Sequence, residues 1–317
     1  MTRAPEPVTI SEMTPDALGD VASLCARELV LDRDAAAIPG ILMRRPCISL
    51  VAVRGRVMAG SCIGSVATGR DGTTDGFIDL LVVDRGQQRQ GIGRQLAGAM
   101  ERQLAIRGCG QIYLAGHGPY YAWPGVDIHY TAAVCFAEDL GYRRQGCEVN
   151  MEVDLRHADL DAAVAQDALQ SAGIDIRRAT PADDGPMQES LGSTWQQSWI
   201  AEIAAALRSS QAGLYLAVQG GRYIGFCTYG LNREHEIGPL GTSPDRRGLG
   251  IGGVLLKRCL TDQRDHGVTV AELVWTGPLS YFSRTVNATI GRAFWQYEKN
   301  LAVTGQAADW RDRVGLI

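Results

Sequence analysis

Val82-Val83-Asp84-Arg85-Gly86-Gln87-Gln88-Arg89-Gln90-Gly91-Ile92-Gly93-Arg94-Gln95-Leu96 is the stretch on which the reading of this chain turns. The apolar run Ile78 to Val83 reads as a buried strand, and Leu96, Met100 and Leu104 recur at helical spacing. Between them lies Gln88-x-x-Gly91-x-Gly93, where glycine lets the backbone approach a ligand. The first amides of the helix are left unpaired there, with the positive end of its dipole behind them. Such a turn suits a diphosphate. The same grammar returns as Pro244-Asp245-Arg246-Arg247-Gly248-Leu249-Gly250-Ile251-Gly252-Gly253-Val254-Leu255-Leu256.

Other segments repeat in the same order. Val8-Thr9-Ile10 followed by Thr14-Pro15-Asp16 is echoed by Ile174-Asp175-Ile176 and Thr180-Pro181-Ala182-Asp183, each a strand and then a helix start. A hairpin around Arg54-Gly55-Arg56 is echoed around Gln219-Gly220-Gly221-Arg222. Cys62 and Cys227 are offset by 165 (227 − 62), but Gln88 and Arg247 by 159 (247 − 88). About six extra residues therefore sit in the first copy, in Gly69-Arg70-Asp71-Gly72-Thr73-Thr74. If Gly141 matches Asn287, the offset falls to 146 (287 − 141), and the first copy holds an insertion of 13 residues (159 − 146). The repeat predicts domains at 1–155 and 174–317, joined by a linker helix at 156–173. Each is expected to be a mixed α/β unit with its ligand at the carboxyl end of a central strand.

Bulk properties narrow the class. The 317 residues are 45% hydrophobic and 21% charged, with net charge −4, which gives no electrostatic case for nucleic acid. The eight cysteines form no Cys-x-x-Cys pair and read as reduced thiols. The start lacks the apolar core of a signal peptide and no run is long enough to span a membrane, so a cytoplasmic protein without membrane partners is expected. His117 and His129 lack metal-ligand spacing, and no metal is expected.

Gly248-x-Gly250-x-x-Gly253 also fits the dinucleotide fingerprint, but the first copy has Leu96 where the third glycine should fall. The pattern (Gln/Arg)-x-x-Gly-x-(Gly/Ala) fits both copies, and resembles motif A of the GNAT acyltransferase superfamily. The resemblance covers nearly the whole chain apart from tail and linker. It implies two GNAT-like domains, each a central mixed, mostly antiparallel sheet flanked by helices, whose fourth and fifth strands splay apart. It implies acetyl-CoA, or another acyl-CoA, as co-substrate. Val83, Gln88, Arg89, Gln90, Gly91, Ile92, Gly93 and Arg94 would hold it in the first copy. Thr242, Arg247, Gly248, Leu249, Gly250, Ile251, Gly252 and Gly253 would hold it in the second.

Acyl transfer to an amine needs a proton acceptor, because aliphatic amines are mostly protonated at neutral pH. Glu236 and Glu234 are spaced to share one face of the fourth strand in the second copy, with Glu236 preferred. Asp79 is the candidate in the first copy, and a solvent-facing carboxylate is the alternative for each. The resemblance also implies a Tyr on the short helix after the fifth strand. There the first copy has Ala137, while the second has Phe282, with Tyr281 one position away. The insertion gathers Tyr120, Tyr121, Trp123, Asp127 and His129 into either an acceptor wall or an aromatic plug. The expected activity is transfer of an acetyl group to a primary amine of a small molecule, such as an amino sugar, antibiotic or amino-acid derivative. An acyl-CoA-binding module with one or both copies silent, or a protein N-acetyltransferase, remain the alternatives.

Overall fold

The computed structural model describes residues 6–69, 72–192 and 195–301; Arg70 and Asp71 of the predicted six-residue insertion lie outside them. The chain divides into two compact units, each discontinuous. Unit 1 is Met1–Gly116, Gly125–Cys147 and Trp295–Ile317; unit 2 is His117–Pro124 and Glu148–Phe294.

Unit 1 begins with β1 (Val8–Glu12), α1 (Leu18–Glu28) and α2 (Ile38–Leu42). β2 (Ile48–Arg54), β3 (Val57–Thr68) and β4 (Thr74–Val83) form an antiparallel meander. α3 (Ile92–Ile106) then returns the chain to β5 (Gln111–Leu114), which pairs parallel to β4. The two-residue β6 (Val126–Asp127), α4 (Thr131–Asp139) and the first part of β7 (Arg143–Asp154) follow. Leu96, Met100 and Leu104 of α3 are fully buried against Cys62, Ile78 and Ile112. Each such side chain contributes roughly 1.5–3 kcal/mol.

Unit 2 repeats the order. α5 (Ala163–Ser171) precedes β8 (Ile174–Arg178), α6 (Asp184–Gly192) and α7 (Gln197–Arg208). β9 (Gly213–Gln219), β10 (Arg222–Tyr229) and β11 (Glu236–Thr242) form the second meander. α8 (Ile251–Asp265) leads to β12 (Val270–Leu273), parallel to β11. α9 (Leu279–Val286) and β13 (Thr289–Asn300) complete it. Val254, Leu255 and Leu260 of α8 pack on Ile237, Ala271 and Leu273.

Two observations differ from the predicted boundaries. The segment 156–173 is helical only over Ala163–Ser171, and Leu169 is buried in the core of unit 2. The closing strands are also shared out: Tyr297–Asn300 of β13 pairs with β5 in unit 1, and Met151–Asp154 of β7 pairs with β12 in unit 2. Hydrophobic alternation along a twelve-residue strand carries no mark of which neighbour takes which half.

Candidate functional site

In unit 2, β11 and β12 pair only at Glu236–Glu272 and Ile237–Leu273. One further bond, Val274 N–H to the Ile237 carbonyl at 3.1 Å, ends the contact. Pro239 lies two residues on, and with no N–H it offers no donor to a neighbouring ladder. From there β11 stays with β10 alone, through Leu240–Cys227, Gly241–Phe226 and Thr242–Gly225. The strands part where the sequence places the phosphate turn.

The turn is held open by backbone conformation. Gly250 has φ +83° and caps α8 without any side-chain bond. A β-carbon at Gly250 would meet nothing within 4 Å, so the turn is uncrowded. The first backbone bond across the start of α8 is from Val254 N–H to the Gly250 carbonyl at 3.2 Å. The amides of Ile251, Gly252 and Gly253 lie ahead of it, at the positive end of a fifteen-residue helix. Arg247, Gly248 and Leu249 are exposed around this turn, and Thr242 is half-buried beneath it. Such a cradle fits the diphosphate of an acyl-CoA.

One side chain reaches the cradle from α9. A β-carbon on Gly252 would lie 2.7 Å from the Tyr281 hydroxyl and 3.4 Å from Thr242 Oγ1. That hydroxyl is buried and has no hydrogen-bond partner among the described residues. Burial, reinforced by Cys227, pushes its pKa up to about 12. Phe282 packs into the core instead. The left-handed residues that end the two short helices, Gly141 and Asn287, are 146 apart, but the rings meeting the cradles, Phe136 and Tyr281, are 145 apart (281 − 136). Ala137 and Phe282, the pair expected at this position, are also 145 apart (282 − 137), so the ring that meets the cradle is one residue earlier in both copies.

The unit 1 cradle has the same frame and different fittings. Gly91 has φ +81°, and the first bond is from Gln95 N–H to its carbonyl at 3.0 Å. Arg89 takes φ +62° where the other copy has Gly248. Gln88 spends its amide on the Val83 carbonyl at 3.0 Å, and Arg54 holds Gln87 at 2.6 Å and Gln90 at 2.5 Å. Arg94 is exposed and Ile92 buried. A β-carbon on Gly93, the counterpart of Gly252, would lie 3.2 Å from the Phe136 ring. Phe136 thus stands where Tyr281 stands, without a hydroxyl. Phe77, opposite Tyr113, likewise holds the place that Glu236 holds opposite Glu272. Asp79 is buried where β4 leaves β5, bonded to Arg45 at 2.7 Å and Ser65 at 2.6 Å. Burial raises its pKa to about 6 against the pull of those two partners. Both carboxylate oxygens of Asp79 are engaged.

The carboxylates of unit 2 differ in kind. Glu234 is exposed in the turn before β11 rather than on the strand, so the expected shared face does not form. Glu236 is 5% exposed, with its Oε1 3.5 Å from Arg233 Nε. Burial opposes ionisation of Glu272, yet His235 and Asn150 hold its pKa down at about 2, which leaves it a fixed anion.

The aromatic insertion is divided. His117–Pro124 belongs to unit 2, and Asp127 and His129 to unit 1, where they bond to each other at 2.8 Å. Tyr120 packs on Ala205, Ala206 and Leu231. Tyr121 is buried, meets Trp275 edge-on at 5.7 Å and directs its hydroxyl to Glu202 at 3.5 Å. Arg233 donates to the Ala122 carbonyl at 2.8 Å and lies 5.8 Å from the Trp123 ring. Glu202 and Arg233 escaped the sequence reading. The available signal was a carboxylate inside the apolar run Ile200-Ala201-Glu202-Ile203-Ala204-Ala205-Ala206. Among the described residues there is no group of three His, Cys, Asp or Glu able to hold a metal, and no helix long and apolar enough to cross a membrane.

Comparison with known proteins agrees with this geometry. Two curated relatives, mycothiol acetyltransferases of Thermomonospora curvata and Geodermatophilus obscurus, are 28% identical over 205 residues and 27% identical over 213. These matches take in 61% of this chain in both cases, and 63% and 61% of the relatives, so the chain spans about three-fifths of their length. A tandem GNAT protein from the clavulanic acid biosynthesis pathway superposes with TM-score 0.67 at 16% identity, over 93% of this chain and 98% of its own. A glucosamine N-acetyltransferase region of a fungal multi-domain β-N-acetylglucosaminidase gives TM-score 0.78 at 17% identity, over 93% of this chain and 38% of that one. The profile of the Acetyltransferase (GNAT) family matches twice, at residues 16–121 and 181–278, together more than half of the sequence. With one match on each phosphate-cradling turn, the chain belongs to the GNAT acetyltransferase family.

Proposed function

We propose that this protein is an acyl-CoA-dependent N-acetyltransferase whose chemistry is carried by unit 2, with acetyl-CoA as donor and a primary amine of a small molecule as acceptor. The supporting observation is the pair of matched first-turn glycines: Gly252 faces a phenol with an unpartnered hydroxyl, and Gly93 faces a phenyl ring. That the two curated relatives are named acetyltransferases supports acetyl as the group transferred.

In this reading the amides of Ile251, Gly252 and Gly253 and the exposed Arg247 hold the diphosphate. The gap between β11 and β12 admits the thioester arm. Glu236, charge-balanced by Arg233, takes the proton from the attacking amine. The nitrogen bonds to the thioester carbonyl carbon, and the carbon–sulfur bond breaks. Tyr281, protonated across the neutral range, gives its proton to the leaving sulfur. Unit 1 retains a cradle but has Phe77 and Phe136 at the base and acid positions, so it serves as a coenzyme-binding or structural unit. Asp79, already bonded to Arg45 and Ser65, acts there as an anchor rather than as a base.

The test is release of free thiol from acetyl-CoA with a panel of primary amines, with products weighed by mass spectrometry. Wild type is expected to acetylate at least one amine, and Glu236→Gln to lose that activity while still binding acetyl-CoA. Equal activity in both would overturn the assignment of the base.

A further inference from the structure

Glu202 sits on α7, 5% exposed, in an otherwise apolar helical run. Its carboxylate has a single hydrogen bond among the described residues, the 3.5 Å contact from Tyr121, and no cation within ion-pair distance. Arg233, which also contacts the loop that carries Tyr121, is engaged by Glu236 and by the Ala122 carbonyl. A buried carboxylate so thinly supported is costly. Burial raises the Glu202 pKa to about 8.

A second polar group lies in the turn between β10 and β11. Asn232, 8% exposed, donates from Nδ2 to the Pro119 carbonyl at 3.3 Å. That bond fixes the orientation of the carboxamide and leaves Oδ1 buried without any donor. The two groups share a frame: Glu202 abuts Gly118, where a β-carbon would lie 2.5 Å from Oε1, and Asn232 holds the next residue, Pro119. Beside one backbone turn, therefore, Asn232 Oδ1 lacks a donor and the Glu202 carboxylate has only the long contact from the Tyr121 hydroxyl. Tyr121 and the partly exposed ring of Trp275 stand edge-on next to them.

We propose that Glu202 and Asn232 recognise a cationic acceptor, taking an ammonium group of the substrate, with Tyr121 and Trp275 as its aromatic wall. An ammonium supplies three donors and a positive charge, which suit a thinly supported carboxylate and the unpartnered Asn232 oxygen. An aromatic wall beside it favours the same charge. This rests on the reading that unit 2 acylates an amine. It adds that the preferred acceptor carries a second ammonium group besides the nitrogen that reacts.

The probes are 1,4-diaminobutane and n-butylamine, which share a chain and differ by that one group. Wild type is expected to favour the diamine in kcat/KM by about tenfold, the worth of one charge-assisted contact. Glu202→Gln and Asn232→Leu are expected to collapse the preference through KM. A preference that survives Glu202→Gln, or is absent in wild type, overturns the proposal. Thermal unfolding separates this from failure of the acyltransferase reading. 1,4-Diaminobutane hydrochloride should raise the wild-type midpoint above sodium chloride of equal ionic strength, and Glu202→Gln should abolish the rise even if no amine is acetylated. No rise in wild type, or a Glu202→Gln protein that melts below wild type without amine at about pH 9, where an isolated carboxylate is charged, makes Glu202 a structural residue and also overturns it.

Discussion

Replacing Tyr281 with Phe separates catalysis from stability, because the proposed acid role and the burial of the hydroxyl predict effects of opposite sign. The hydroxyl is buried and bonds to nothing among the described residues. Removing such a group leaves no orphaned partner and relieves a desolvation cost of about 1–3 kcal/mol. The phenyl ring retains its edge-on contact with Phe282 at 5.0 Å, so the packing is kept. Stability should therefore stay level or rise by up to about 1–3 kcal/mol. Turnover should fall by about 100- to 10,000-fold, the span associated with one positioned acid or base. With its pKa pushed up to about 12, the phenol remains an acid throughout the working range, and the deficit should be flat from mildly acidic to mildly alkaline pH. The assays are thiol release at saturating acetyl-CoA and amine, and urea unfolding of the same preparations. Turnover within about threefold of wild type, well short of that span, would falsify the acid assignment. A clear loss of stability would show that the hydroxyl has a partner and is structural.

Three further outcomes follow from the same geometry. Glu236→Gln should lower kcat/KM by about 100-fold or more and remove the rise of rate with pH that proton removal by Glu236 imposes; a pH profile parallel to wild type would sink that role. Glu272 has its folded pKa depressed to about 2 from 4.5, so its contribution is fully present above pH 4.5 and is lost as pH falls through 2. Glu272→Gln should cost about 3 kcal/mol near neutrality, with the gap to wild type closing in acid; a gap independent of pH would refute the linkage. In calorimetric titration with acetyl-CoA, Gly250→Glu should abolish the site that supports turnover, whereas Gly91→Glu should remove at most one binding equivalent and leave turnover intact. Loss of turnover only in Gly91→Glu would move the chemistry to unit 1.

How much of this was readable beforehand depended on whether the signal was local. Both cradles could be read from the sequence because a strand, a left-handed glycine and an amphipathic helix each leave a short-range mark, and all three coincide at Gly91 and at Gly250. The repeat was readable because its spacing survives in the chain. Ala137 and Phe282 each lie one residue after the ring that meets the cradle, because a short helix's periodicity does not fix which of two adjacent positions turns toward a neighbouring loop. The face shared by Glu234 and Glu236 failed because β11 begins only at Glu236. The division of the insertion between Pro124 and Gly125, and the burial of Glu202, are tertiary facts. No periodicity records which core a loop will join.

The two units together argue that the repeat has been divided in labour rather than merely copied. A phosphate cradle needs backbone conformation, and both copies keep it at little cost, since the same glycines also shape the fold. Acid and base need polar side chains at buried positions, which destabilise unless they are used. Unit 1 has apolar rings at both positions, and where β4 leaves β5 both carboxylate oxygens of Asp79 are taken by Arg45 and Ser65. Unit 2 has the opposite character: a tyrosine hydroxyl, an asparagine oxygen and a carboxylate are all buried and under-partnered on the elements around β11. A domain that carries such groups without internal partners is suited to receive them from a substrate.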